Sequence, residues 1–235
     1  MNKYLTSGAV ALALLAGGAF YITQGAQTAS NGAITLPGAA NAQESTPNAE
    51  AGTEVDPASV TEMVMGAEDA PITVIEYASY TCPHCANANE TLIPELKKNY
   101  VDTGKVKFIY REVYFDKYGM WGSLVARCGG PEKFFGITDM IYKAQKTILA
   151  PAREGNDEGV AEELRKVGRI AGVSNDELNA CLNDGDKLRA LLTWFQQNAT
   201  ADGIDSTPSF VIDGQKYSNM NYADFSKILD DKLGQ

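Results

Sequence analysis

The sequence predicts an α/β domain interrupted by an all-helical insertion. Three observations carry this. A β-branched and aromatic run, ITVIEYASY from Ile72, leads directly into a helical stretch. Residues 118–202 then read almost wholly as helix. The C-terminus finally returns to a short strand, a turn, a second strand and a last helix.

The elements can be justified in order. Lys3 is followed by an uncharged apolar run from Ala9 to Ile22. That run is shorter than the ~20 apolar residues of a spanning helix, so residues 1–28 read as a secretory signal peptide or an uncleaved signal-anchor. Cleavage is expected near Thr28–Ser30 or after Ala40-Asn41-Ala42. Either way a periplasmic or other extracytoplasmic location is expected, with a tether if the anchor is kept. Residues 29–60, rich in Ala, Gly, Ser, Thr, Asn and Pro, are expected to be a flexible linker.

Residues 61–117 are expected to form the first part of the α/β domain. After the Ile72 strand, Pro83 suits the first turn of a helix, because its missing N–H is not needed there. Pro94 implies a kink in that helix. KVKFIYREVYF is a second strand with Val106, Phe108 and Tyr110 on one face. In the insertion, 118–202, the apolar stripes are Leu124/Val125/Cys128, Phe134/Ile137/Ile141, Val160/Leu164/Val167/Ala171, Leu178/Cys181/Leu182 and Leu188/Leu191/Leu192/Phe195. Gly129-Gly130-Pro131 ends one helix, and Ser174 with Glu177 makes a capping box at the start of another. In the second part of the domain, 203–235, Pro208–Ile212 and Gln215–Tyr217 flank an Asp213-Gly214 turn. Tyr222 to Leu233 forms the final helix.

The 235 residues carry a net charge of −10, with 44% hydrophobic and 21% charged residues. Acid spread along the chain, with no basic patch, excludes a nucleic-acid surface. Export makes the four cysteines, Cys82, Cys85, Cys128 and Cys181, candidates for disulfides.

Thr81-Cys82-Pro83-His84-Cys85 places two thiols one turn apart at a helix start. Disulfide exchange needs an accessible thiolate and a second thiol to resolve the mixed disulfide. Cys82, against the free N–H groups and positive dipole end, is the expected nucleophile, and Cys85 the resolving thiol. His84, the single histidine of the chain, can add positive charge or a donor to the Cys82 thiolate. Glu76 shares a strand face with Ile72 and Val74. If buried, with a raised pKa, it can accept the Cys85 proton when the mixed disulfide resolves; the alternative is a solvent-facing strand residue. Cys128 and Cys181 stand on apolar helix faces without neighbouring cysteine or histidine. A structural disulfide is expected, the alternative being two free buried thiols.

YTCPHC resembles the active-site motif of DsbA-like thiol:disulfide oxidoreductases, and STPSFVIDG resembles that family's strand after a loop proline. The resemblance covers roughly residues 60–235. It implies a thioredoxin fold with an inserted helical domain, and a Cys82–Cys85 disulfide donated to folding secreted proteins. It also implies that Thr207 and a cis Pro208 face the cysteines and bind substrate, and that Glu76 corresponds to the buried acid of thioredoxin-like proteins. Cys128 and Cys181 resemble the second, non-catalytic disulfide of a subgroup. Expected partners are unfolded or reduced exported proteins and a quinone-linked membrane re-oxidant, with no nucleic acid, no cofactor and a monomeric state.

Two other functions compete. An isomerase or reductase of the same fold is weaker, because an isomerase needs a dimerisation module. A copper or zinc module using Cys82, Cys85 and His84 has two thiolates suited to Cu(I), but lacks a fourth ligand for a closed zinc site.

Overall fold

The computed structural model describes residues 56–234. The expected signal or anchor, its cleavage sites and most of the expected linker lie outside those residues. Among the described residues, no helix is long and apolar enough to cross a membrane.

The described chain opens with one 3-10 turn, Pro57–Ser59, capped by Asp56. Five strands follow in sheet order β1-β3-β2-β4-β5. β2 (Ile72–Ala78) is central. It runs parallel to β3 (Val106–Glu112), in register from Ile72↔Val106 to Ala78↔Glu112. On its other side it runs antiparallel to β4 (Ser209–Ile212), with Tyr77 opposite Ser209. β5 (Gln215–Ser218) closes the hairpin at one edge, where exposed Lys216 keeps the edge polar. β1 (Met63–Met65) borders β3 at the other edge. β1 was not expected from the sequence. Its three residues are too short to show an alternation.

A parallel β2–β3 pair requires a crossover. It is supplied by α1 (Pro83–Thr91), α2 (Ile93–Leu96) and a wide π turn, Lys97–Val101. The irregularity expected at Pro94 falls at Leu92, which stays right-handed helical and bonds back to Ala88, while proline cannot donate into the preceding turn.

The helical block comprises α3 (Lys117–Cys128), α4 (Gly130–Ile148), α5 (Asp157–Ile170), α6 (Asn175–Leu182) and α7 (Gly185–Ala201). Asp116, Asn156, Ser174 and Asp184 cap α3, α5, α6 and α7 with their side chains, and the capping box at Ser174–Glu177 is formed. The stripes at Phe134/Ile137/Ile141 and Val160/Leu164/Val167 are buried as expected, whereas Leu192 and Phe195 are only half-buried. The final helix is α8 (Tyr222–Leu233), whose Phe225 packs edge-on against Phe210 of β4.

The block is fastened to the sheet by a buried ion pair. Arg127 of α3 donates from Nε and Nη2 to the two carboxylate oxygens of Glu112 at the end of β3, at 2.6 and 2.7 Å. Its Nη1 reaches the Thr61 carbonyl at 2.8 Å, and Ser123 also donates to Glu112. With these partners the charges are paired and hydrogen-bonded, the condition for tolerating them in the interior. Trp121 and Trp194 are both buried. Arg127 stacks over the Trp194 ring.

Candidate active site

The site lies where β2 gives way to α1. Cys82 has extended φ/ψ and is the N-cap of α1, so its Sγ lies at the helix start. The turn before it is held from several sides. Gln145 of α4 donates through Nε2 to the carbonyls of Tyr80 (2.9 Å) and Cys82 (3.0 Å). The Tyr80 hydroxyl pairs with Thr138, its ring packs against Tyr142 and Tyr110, and Thr81 donates to Asp116. Gly122 of α3 makes room for Tyr80: a Cβ there would meet the Tyr80 side chain at 3.1 Å.

The two thiols have opposite surroundings. Cys82 is 9% exposed, while Cys85 is fully buried. Both are free thiols. The Cys82 thiol is drawn down from 9.0 to about 5. Donation from the Cys85 thiol contributes most, against an opposing effect of burial; the Thr207 side chain and the main-chain N–H groups of Cys85 and His84 add to it. The Cys85 thiol is pushed up, first because it donates to Cys82 and next by burial, with the charge of Glu76 adding to the rise.

Glu76 is 2% exposed, on the same buried face of β2 as Ile72 and Val74. Burial raises its carboxyl to about 8. The Thr207–Pro208 peptide is cis, and the Thr207 carbonyl accepts from the Cys82 thiol at 3.6 Å. The fold thus brings together Cys82, Cys85, Thr207 and the acid Glu76. The His84 side chain is exposed, and the main-chain N–H of the same residue acts on Cys82. Cys128 and Cys181 are joined in a disulfide within the helical block.

Sequence reasoning missed Gln145, Tyr80, Thr138 and Tyr142. Gln145 carried a signal, because it occupies the next position along the Ile137/Ile141 stripe and so interrupts an apolar face. Among the described residues no group of three or more His, Cys, Asp or Glu side chains is arranged to hold a metal ion.

The family model described as thioredoxin matches residues 58–231. The chain belongs to the thioredoxin family. Within this family, it is 33% identical over 170 residues to a Rickettsia bellii protein named "Putative protein-disulfide oxidoreductase", covering 72% of this chain and 63% of that one. It is 32% identical over 88 residues to the Bacillus subtilis "Disulfide bond formation protein D", covering 35% of this chain and 39% of that one. The Rickettsia relatives it matches are longer, and the chain spans 60 to 66% of their length. Among solved structures, alpha-DsbA1 of Wolbachia pipientis superposes with a TM-score of 0.68 at 24% identity, covering 74% of this thioredoxin-family chain and 91% of the other. The fold is therefore that of DsbA, helical block included.

Proposed function

We propose that this protein is an exported thiol:disulfide oxidoreductase that donates the Cys82–Cys85 disulfide to reduced, folding exported proteins. The observation that carries this reading is the asymmetry of the pair: Cys82 is held as a thiolate near neutral pH, whereas Cys85 is held as a thiol. A stabilised thiolate makes the dithiol form the lower-energy state, and so makes the disulfide a good oxidant.

In donation, a substrate thiolate attacks Sγ of Cys82 and the Cys82–Cys85 bond breaks. Cys85 leaves with the electron pair and takes a proton from Glu76, whose carboxyl at about 8 is protonated at neutral pH. A second substrate thiolate then attacks the substrate sulfur of the mixed disulfide. Cys82 departs as its favoured thiolate, leaving a substrate disulfide and the enzyme dithiol. In the reverse direction Glu76 accepts the Cys85 proton while Cys85 closes the ring. Thr207, presented by cis Pro208, offers its main chain to an extended substrate segment beside Cys82. A quinone-linked membrane protein is the proposed re-oxidant. The names of the relatives, and the likeness to alpha-DsbA1, support this class of chemistry.

A glutathione redox titration, with Cys82 and Cys85 followed by thiol labelling and Cys128 and Cys181 counted separately, tests the direction. A potential well above the roughly −270 mV of thioredoxin is expected. A thioredoxin-like value would move the protein to the reducing side of the same fold.

A further inference from the structure

Behind the redox pair lies a cavity of about 310 Å³ between the sheet, α2 and α4. Its walls are apolar side chains, among them Met65, Ile93, Phe108, Tyr110 and Phe135, and Glu76 is part of its lining. Glu76 is only 2% exposed, and burial is the one cause of its raised carboxyl, with no hydrogen bond contributing. A buried carboxyl left without a partner costs free energy that a ligand group can recover. The pocket therefore combines an apolar chamber with one unsatisfied acidic group.

The volume narrows the choice of ligand. An apolar cavity of about 150 Å³ accommodates a benzene molecule. Twice that space takes one aromatic ring and a short polar arm. The rings of Phe108 and Phe135, with centroids 6.2 Å apart and tilted by 54°, offer edge-to-face contacts to such a ring. At the mouth, Asp139 adds a second carboxylate to the lining, already shared with Asn89 and Lys143. Lys97 also lines the cavity but is paired with Asp102, so the two acids favour a basic arm over an acidic one.

We propose that this cavity is a binding site for a small one-ring aromatic amine, its ring between the apolar walls and its nitrogen on Glu76. The amine takes the Glu76 proton and remains beside the carboxylate as an ammonium ion. Occupancy then withholds the proton that Cys85 receives during disulfide donation, without covering Cys82. That consequence rests on the role given to Glu76 above; the binding itself does not.

The test is a titration of the isotope-labelled dithiol protein with benzylamine, followed by NMR and separately by the rate of disulfide exchange. Saturable shifts at Met65, Gly136 and Thr138 are expected. Benzyl alcohol and butylamine, which lack the charge or the ring, should each bind at least tenfold more weakly. Glu76→Gln should weaken benzylamine at least tenfold. Gly136→Leu should abolish binding with an unchanged circular dichroism spectrum, because Gly136 lines the cavity and a Cβ there meets open space. Shifts confined to exposed carboxylates, equal affinity for Glu76→Gln, or no saturation through the millimolar range would overturn the site. Binding with an unaltered exchange rate would leave the site standing and remove the acid role of Glu76 instead.

Discussion

Cys82 begins a helix, whereas Cys128 and Cys181 end two of them. Cys82 is the N-cap of α1, Cys128 is the last residue of α3, and Cys181 is in the last turn of α6. The helix macrodipole favours a thiolate at the first position and disfavours it at the other two. Cys82 also has donors from Cys85 and from main-chain N–H groups, and its partner has a buried acid near it. The Cys128–Cys181 bond has neither device, and it spans 53 positions rather than one helical turn. On the proposed reading exchange favours the first pair over the second, because it depends on how well each sulfur is stabilised as a thiolate.

The largest effects should separate these two roles. Cys82→Ser is expected to abolish disulfide transfer to a reduced test protein. Replacing both Cys128 and Cys181 by Ser should leave transfer close to the parent rate, yet cost about 4 kcal/mol in denaturant unfolding, the chain-entropy value for a loop of 53 residues. Loss of transfer in the second variant would break the contrast.

Next in size is the pH dependence of Cys82 alkylation. The rate should reach half its maximum near pH 5 rather than near 9. Since the folded value lies below the unfolded one, the dithiol form is stabilised above pH 9. That gain is lost as pH falls through about 5. A midpoint close to 9 would place Cys82 on the same footing as an ordinary thiol.

Glu76 has the opposite sign. Its folded value of about 8 lies above the unfolded 4.5, so the protein keeps its full stability below 4.5 and loses it as pH rises through about 8. Glu76→Gln should therefore raise the unfolding midpoint more at pH 9 than at pH 6. It should also flatten the rise in Cys85 ring closure through about pH 8, as read by stopped-flow fluorescence. An unchanged closure profile would remove Glu76 from the proton path.

The smallest effect expected is that of Gln145→Ala. It removes the side-chain donor to two carbonyls, and the Tyr80 carbonyl loses its partner while that of Cys82 keeps the Ala86 N–H. A loss of about 1–3 kcal/mol in thermal or denaturant unfolding is expected. The alkylation midpoint of Cys82 should shift along with it if the turn also positions the thiol.

Much of this was legible in the sequence because the signals are local. ITVIEYA, the C-x-x-C at a helix start, and the Ser174 capping box each depend on neighbours within a few residues. The helical stripes likewise announce which faces are buried. β1 was illegible because its strand character comes from pairing with β3, about 45 positions downstream (Met63 with Tyr110). The tyrosine cluster and Gln145 were illegible for the same reason. They meet the motif only after the helical block folds back onto the sheet. The Arg127–Glu112 pair was likewise illegible, since only the fold sets the two charges together inside the protein. For His84 the sequence pointed to the side chain, and the structure adds the main-chain N–H of the same residue as a donor to the thiol.

The grip of Gln145 on the Tyr80 and Cys82 carbonyls bears on modularity. The helical block interrupts the α/β core in sequence, which invites the idea of a removable accessory. Yet α4 supplies the amide that caps the redox turn from above, and Tyr142 and Thr138 of the same helix complete the packing around Tyr80. A core cut free of its insertion would carry the cysteine motif on a turn with a bare Tyr80 carbonyl and an unsupported ring. The helical block is one wall of the candidate site, so core and block can be exchanged between proteins only as a matched set.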